Sequence, residues 1–138
     1  MVLDAAALLA QPNDNYMDAV QLQFFKQLLL TKQSELTDRI VGHEEAVSVT
    51  EKVADSSDAG TIEENRGLLM RILKGERAEA MAIKAALVRI DDDAYGWCED
   101  SGEPIGLRRL LNNPTAFRTT EAQTRFERLG KHVRAEAV

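Results

Sequence analysis

Two aspartates, Asp55 and Asp58, are the residues whose type and spacing most suggest chemistry in this 138-residue chain. They lie three positions apart in residues 50–64, a stretch that interrupts two long helical patterns. Two carboxylates on one exposed turn, with no basic side chain between them, present concentrated negative charge to basic or metal-rich surroundings. Aspartate is also common in ordinary turns and at helix N-caps, and that alternative stays open.

No catalytic machinery accompanies these carboxylates. The sequence contains no nucleophile–base pair, no glycine-rich phosphate loop and no other cluster of metal ligands, so we do not predict an enzyme. The single cysteine, Cys98, excludes an internal disulfide, fits a reducing cytoplasm and is expected to be a small buried residue rather than a redox switch. His43 lies far from the only other histidine, His132, so we expect a partly exposed helix residue and not a metal ligand.

The elements that flank the aspartates are two helices with narrow apolar stripes. Steps of three and four residues between apolar positions are typical of helices that pack along a seam. The first stripe comprises Leu22, Phe25, Leu29, Leu36, Ile40 and Val47, and the second Ile62, Leu69, Ile72, Leu73, Ala80, Ile83, Leu87 and Ile90. Asp18 suits the start of the first helix, either as a cap or as an acid in its first turn. We predict a mainly all-α fold in which residues 18–92 form a long antiparallel coiled-coil hairpin with its tip at about residues 50–61.

The hairpin is flanked by two further regions. We interpret residues 1–17 as a partly disordered N-terminal lead-in, because residues 11–15 are a cluster of helix breakers. Residues 93–138 are expected to form a small globular region anchored by Tyr95, Trp97 and Ile105. Its last helix is predicted from about Thr120 to Ala135, with Phe126 and Leu129 facing inward.

The charge of the chain restricts its partners. A net charge of −6 argues against docking of the whole surface on nucleic acid, since such binding depends on neutralising phosphates. Residues 108–138 nevertheless hold seven of the 17 basic residues and three of the 23 acidic ones. This excess is typical of a solvated helix face or of a contact surface for an acidic partner. No signal peptide or membrane span is evident, so we expect a soluble cytoplasmic protein.

Read in order, the motifs Asp55-Ser56-Ser57-Asp58-Ala59 and Tyr95-Gly96-Trp97-Cys98 resemble those of the DksA/TraR family of bacterial transcription regulators. Tyr95-Gly96-Trp97-Cys98 and the following Ile105, Arg109-Leu110 and Pro114 match the family's zinc-finger region. Asp55, Asp58, Ala59 and Gly60 resemble the family's tip motif, Asp-x-x-Asp-x-Ala, with Gly60 where the family usually has alanine. Tyr16-Met17 and Gln21-Leu22 fit the start of the first helix.

The resemblance places the four zinc-binding positions of the family at Cys98, Ser101, Thr119 and Ala122. Structural zinc requires four thiolates or imidazoles in a tetrahedral arrangement. One thiol, two hydroxyls and a methyl group do not meet that requirement, so we predict a zinc-free member with a degenerate zinc-finger-like loop. Packing would then hold this region together, through Tyr95, Trp97, Ile105, Leu110 and Phe117.

A second departure concerns the alarmone ppGpp, a co-effector of the family. Basic positions that the family uses for this contact are Ala82, Asn113 and Gln123 here. Without cationic partners for the phosphates at these positions, the implied synergy with ppGpp should be weaker, although Arg118, Arg125 or Lys84 could substitute.

The resemblance implies binding to RNA polymerase as a monomer, without sequence-specific recognition of DNA. The hairpin would enter the secondary channel of the polymerase, and the tip acids would alter the stability of promoter open complexes. Ribosomal RNA promoters would be inhibited and some biosynthetic promoters activated, as in the stringent response. Contacts at the channel rim are expected from Arg108, Arg109, Arg125 and Arg128.

Two alternative functions remain open at this point. A Gre-type transcript-cleavage factor also has a coiled-coil hairpin with tip acids, but the C-terminal region here is too short and too helical for that family's second domain. A coiled-coil adaptor would instead use the hairpin to dimerise.

Overall fold

The computed structural model describes residues 3–52 and 59–136 of the chain, without the side chains of residue 59 and residues 132–136. These residues form one 3-10 turn, Asn13–Asn15, and the helices α1 (Ala5–Ala10), α2 (Ala19–Lys52), α3 (Ala59–Asp91), α4 (Leu107–Asn112) and α5 (Thr120–Glu136). Within the described residues the only strand-like pairing is an isolated antiparallel bridge between Trp97 and Pro104. No helix in this part of the chain is both long and apolar enough to cross a bilayer. The predicted all-α fold is confirmed.

Residues 29–84 form one of two compact units, and it consists of the paired parts of α2 and α3. His43 of α2 lies 2.7 Å from Glu76 of α3, measured from Nδ1 to Oε1. Later in α2, Glu51 pairs with Arg66, an earlier residue of α3, at 3.3 Å. Higher numbers on α2 therefore pair with lower numbers on α3, which confirms the antiparallel hairpin.

The apolar seam of this unit follows the predicted stripes with one exception. Its buried side chains are Leu29, Leu36, Leu73 and Ile83. Ile72 was also predicted to lie on the seam, but its side chain is 37% exposed. Because consecutive residues of a helix are about 100° apart around its axis, burial of Leu73 turns its neighbour Ile72 away from the partner helix.

Residues 1–28 and 85–138 form the other unit, in which a polar cap begins α2. The Asp18 carboxylate accepts a hydrogen bond of 2.9 Å from the backbone N–H of Gln21, so Asp18 is the N-cap of the helix. The fully buried Gln21 side chain accepts a bond of 2.9 Å from the Met17 amide and donates one to Gln11. This arrangement satisfies a buried polar side chain and fixes the entry of the chain into α2.

Helix α1 lies in a region that the sequence analysis interpreted as a lead-in. Asp4 caps it by accepting a 2.7 Å hydrogen bond from the Ala7 amide, and Leu8 is completely buried. Six residues are too few for a helix that is stable alone in water. Contact with α4 supplies the missing stabilisation, and local sequence patterns carry no information on that contact.

The orientation predicted for α5 is wrong within its described side chains. Phe126 and Leu129 are 52% and 64% exposed, although both were expected to face inward. Burial on α5 is concentrated at its start, where Ala122 is almost fully covered. The periodic apolar residues further along the helix therefore form an exposed stripe.

Candidate functional site

The predicted tip falls mainly on residues 53–58, between α2 and α3. Asp55 and Asp58 fall outside the described residues, as does the side chain of Ala59. Gly60 is exposed in the first turn of α3, and no heavy atom lies within 4 Å of the position that a Cβ would occupy. The ion pair between Glu51 and Arg66 joins the two helices close to this loop.

A tight loop between α3 and α4 contains the single cysteine. The Cys98 amide donates to the Glu103 carbonyl at 2.8 Å, and the Gly102 amide donates to the Cys98 carbonyl at 2.9 Å. A third bond, also 2.8 Å, runs from the Ile105 amide to the Gly96 carbonyl. These bonds fold the backbone of the loop around Cys98, which is buried as predicted.

The Cys98 thiol is surrounded by hydrogen-bond donors. Burial raises its pKa, but bonds from the Ser101 hydroxyl and from the amides of Thr119, Ser101 and Asp100 lower it more, to about 7. Donors that face the sulfur stabilise the thiolate over the thiol. Hydrogen-bond donors around the sulfur also stabilise thiolates that bind metal ions.

The four positions that correspond to zinc ligands are brought together, but their side chains do not fit zinc. Cys98 contacts Ser101 and Thr119, and the Thr119 hydroxyl accepts a 3.2 Å hydrogen bond from the Ala122 amide. That bond makes Thr119 the N-cap of α5, and Ala122 contributes only a methyl group. Among the described residues, no group of three or more His, Cys, Asp or Glu side chains could hold a metal ion. One thiolate with two hydroxyls is a poor donor set for zinc.

Tyr16 attaches the N-terminal segment to the same loop. Its hydroxyl donates to the Gly96 carbonyl at 2.5 Å and accepts from the Gly106 amide at 2.9 Å. Its ring meets Trp97 edge-on, with 5.3 Å between the centroids, and burial raises the pKa of its phenol. From the sequence, Tyr16 was predicted only as part of a motif at the start of the first helix. Its attachment to the cysteine loop was missed, because the hydrogen bonds span 80 residues or more.

The predicted apolar packing of this region is confirmed for three of its five side chains. Tyr95, Ile105 and Leu110 are buried, and the Tyr95 hydroxyl donates to the Pro114 carbonyl at 2.7 Å. The Tyr95 ring contacts Phe25 with 5.5 Å between the centroids, and burial raises its pKa.

The other two predicted anchors differ from expectation. Trp97 is 40% exposed, although its ring contacts that of Tyr16. Phe117 is half-buried, and the guanidinium groups of Arg89 and Arg118 lie 5.2 Å and 4.4 Å from its centroid. Arginine stacking therefore supplies part of the contact that apolar burial was expected to provide.

The four arginines predicted to contact a partner divide into two kinds. Arg108, Arg125 and Arg128 are exposed. Arg109 is half-buried, and its Nε donates to the Arg118 carbonyl at 3.0 Å. Three of the four side chains are thus available to a partner, while Arg109 has a structural contact.

None of the three positions that the resemblance links to ppGpp carries a cation, and two of their side chains form hydrogen bonds within the chain. Ala82 is half-buried in α3. The Asn113 side chain accepts from the Thr115 hydroxyl at 2.9 Å, and Gln123 donates to Glu127 at 3.2 Å.

Comparison with known proteins agrees with this geometry. A family profile described as "Prokaryotic dksA/traR C4-type zinc finger" matches residues 94–128. The chain is 40% identical to the "RNA polymerase-binding transcription factor DksA" of Caulobacter vibrioides over 119 residues, 84% of this chain and 82% of that protein. It is 32% identical to the protein of the same name from Escherichia coli K12, over 85% of this chain and 78% of that one.

A solved structure shares the fold. The structure of transcription factor DksA2 from Pseudomonas aeruginosa matches with a TM-score of 0.83 and 43% identity, over 91% of this chain and 97% of that chain. Sequence identity of this extent, the shared fold and the matched finger region lead to one conclusion: the chain belongs to the DksA/TraR family.

Proposed function

We propose that this protein binds RNA polymerase and regulates transcription, and that it does not act as an enzyme. The observation that carries the proposal is the 40% identity, over 84% of the chain, to a relative named for binding RNA polymerase. The helical hairpin supports it, since the DksA2 structure matches over 91% of this chain, which includes both arms.

The finer proposal is that the hairpin enters the secondary channel of the polymerase and that its loop acts near the catalytic centre. Asp55 and Asp58 would supply negative charge to the basic and metal-rich elements found there. A factor that binds one arrangement of those elements more tightly shifts the equilibrium between promoter complexes. Inhibition of ribosomal RNA promoters and activation of some biosynthetic promoters, as in the stringent response, would follow.

The tip assignment is tested by the double variant Asp55→Asn/Asp58→Asn. We expect it to fold normally and to bind polymerase within about threefold of the parent, because the basic residues proposed to contact the channel rim are unchanged. It should lose most of the inhibition of a ribosomal RNA promoter in transcription with purified components.

A matched control is Glu63→Gln/Glu64→Gln, which removes the same charge from two exposed positions in the first turns of α3. The control should retain inhibition. Equal inhibition by the Asp55/Asp58 variant and the parent would contradict the tip assignment. Failure of the parent protein itself to bind polymerase would contradict the proposed function.

We further propose that Arg108, Arg125 and Arg128 contact the channel rim. Their exposure and the basic excess of residues 108–138 support this assignment. Arg109 belongs to the same predicted set, but its hydrogen bond to the Arg118 carbonyl makes it a poor position for testing binding alone.

Dependence on ppGpp is proposed to be weak. Ala82, Asn113 and Gln123 offer no positive charge to a phosphate, and recognition of phosphates relies on charge-assisted bonds. Of the three residues that could substitute, Arg118 is held by Asp100, while Arg125 and Lys84 are exposed. Transcription measured with and without ppGpp should therefore differ little at a promoter that this protein inhibits.

The protein is also proposed to need no zinc, to act as a monomer in the cytoplasm and to recognise no DNA sequence. The donor set at Cys98, Ser101, Thr119 and Ala122 supports the first statement, although the matched profile describes a four-cysteine finger. A Gre-type cleavage factor and a dimerising adaptor are not favoured, because the relatives at 32–40% identity are named as DksA.

A further inference from the structure

A zinc ion in a finger of this kind would join two separate segments of the chain. One segment would contribute positions 98 and 101, and the other positions 119 and 122. Metal coordination contributes folding free energy by holding such segments together. With Cys98, Ser101, Thr119 and Ala122 in these places, another contact must hold the loop against the start of α5.

The Arg118 side chain makes contacts to both segments. Its Nε donates to Asp100 at 3.0 Å, and its Nη2 lies 3.9 Å from the Glu99 carboxylate. Its guanidinium carbon is 4.4 Å from the centroid of the Phe117 ring and 4.1 Å from that of the Phe126 ring. One side chain therefore connects the cysteine loop to a residue in the second turn of α5.

The surroundings of Arg118 strengthen these contacts. The Arg118 side chain is only 13% exposed, whereas the Asp100 side chain that it pairs with is 43% exposed. Its guanidinium is packed between two aromatic rings, and stacking of this kind adds to the charge-assisted hydrogen bond. Its carbonyl accepts the bond from Arg109, and the Glu99 amide donates to the Phe117 carbonyl at 2.8 Å. Backbone and side chain act at the same junction.

The loop itself is a tight, hydrogen-bonded turn. The Gly102 amide donates to the Cys98 carbonyl at 2.9 Å, and the Cys98 amide donates to the Glu103 carbonyl at 2.8 Å. Ala122, at the remaining position, is buried one turn into α5, next to the Thr119 cap.

We infer that Arg118 takes the place of the family's metal in holding the cysteine loop to α5, and that the backbone of the loop would still accept zinc if the missing ligands were restored. The inference concerns folding of the free chain and does not depend on polymerase binding. Its success or failure is therefore independent of the function proposed above.

The first test compares Arg118→Gln with Arg125→Gln, an exposed arginine on the same helix. Trp97 is the single tryptophan and lies next to Cys98, so its fluorescence reports unfolding of this loop. Arg118→Gln should lower the melting temperature seen by Trp97 by roughly 5 °C, and Arg125→Gln by less than about 1 °C. Arg118→Lys should be nearly as damaging as Arg118→Gln, since lysine keeps the charge but not the planar stacking group.

The second test restores the metal ligands by the triple substitution Ser101→Cys/Thr119→Cys/Ala122→Cys. This variant should bind one zinc ion per chain by metal analysis, whereas the parent should bind none. In the zinc-loaded variant, Arg118→Gln should lower the melting temperature by less than half as much as it does in the parent. A chelator should remove this protection.

Three results would overturn the inference. Arg118→Gln could prove no more damaging than Arg125→Gln, or its effect could be as large in the zinc-loaded variant as in the parent. The triple variant could also fail to bind zinc, which would show that the loop lacks the metal-binding frame.

Discussion

Two features of the structure disfavour any residue other than glycine at position 96 of the cysteine loop. The φ of Gly96, +89°, lies in a region that side chains with a Cβ rarely adopt. A Cβ there would lie 2.6 Å from Cγ and 2.7 Å from Sδ of Met17. Both backbone conformation and lack of space therefore require glycine at this position.

We predict that Gly96→Ala destabilises this region by about 2–4 kcal/mol, the sum of a conformational cost and an overpacking cost. Urea unfolding followed by Trp97 fluorescence measures the change. Gly102→Ala is the matched control, because Gly102 has a φ of +74° but no heavy atom within 4 Å of the added Cβ. The control should cost only about 1–2 kcal/mol, and equal losses would contradict the contact with Met17.

At the scale of single residues, the sequence predicted chemical character better than contacts. The burial of Cys98 and the Asp18 cap followed from residue type and local position. The roles of Tyr16 and Arg118 did not, because each joins segments whose proximity exists only in the folded chain. A tyrosine or an arginine has no local pattern that distinguishes such a contact from ordinary exposure.

Helix α3 ends at the run of three aspartates formed by residues 91–93. Asp93 has a positive φ of 58°. The Ala94 amide donates to the Arg89 carbonyl at 2.9 Å, and the Asp93 amide donates to the Ile90 carbonyl at 3.3 Å. This is the hydrogen-bond pattern of a Schellman motif, in which glycine is the preferred residue at the position of Asp93.

We predict that Asp93→Gly stabilises the protein by about 0.5–1 kcal/mol, because it relieves the positive φ and removes a negative charge from the helix C-terminus. Thermal unfolding measures the gain. Asp92→Gly removes the same charge one residue earlier, where φ is not positive, and should give no gain because glycine there only adds freedom to the unfolded chain. Equal effects of the two substitutions would show that removal of charge alone explains the gain, which would contradict the contribution of the positive φ.

Elements with a long repeated pattern could be predicted, and short or exposed ones could not. The stripes of α2 and α3 extend over many turns, so a single exposed position such as Ile72 did not alter the prediction of a hairpin. Helix α1 was missed because six residues carry too little periodicity. On α5, Phe126 has helical spacing but is covered on one face by an arginine rather than by a core.

The basic residues of the whole molecule are unevenly distributed along the chain. The chain carries a net charge of −6, yet seven of its basic residues fall within residues 108–138. Such an asymmetry affects association rates and salt dependence more than it affects folding. The positions of these charges along the chain follow from the sequence alone, whereas their exposure depends on the fold, as the half-buried Arg109 shows.

We predict that Arg125→Gln/Arg128→Gln weakens binding to purified RNA polymerase by about 3–10-fold at low salt, as expected for two exposed ion pairs. The loss should shrink as the salt concentration rises, because exposed charges are screened. Unfolding of the free variant should match that of the parent. An affinity that is unchanged at low salt would remove these two residues from the proposed rim contact.

The two hydrogen bonds of the Tyr16 hydroxyl have a consequence for synthesis of the protein. Their partners, Gly96 and Gly106, are translated 80 and 90 residues later. At about 5–20 residues per second, the N-terminal segment leaves the ribosome several seconds before those partners exist. Tyr16 cannot make these bonds until most of the chain has been synthesised, so this part of the fold should form only near the end of translation.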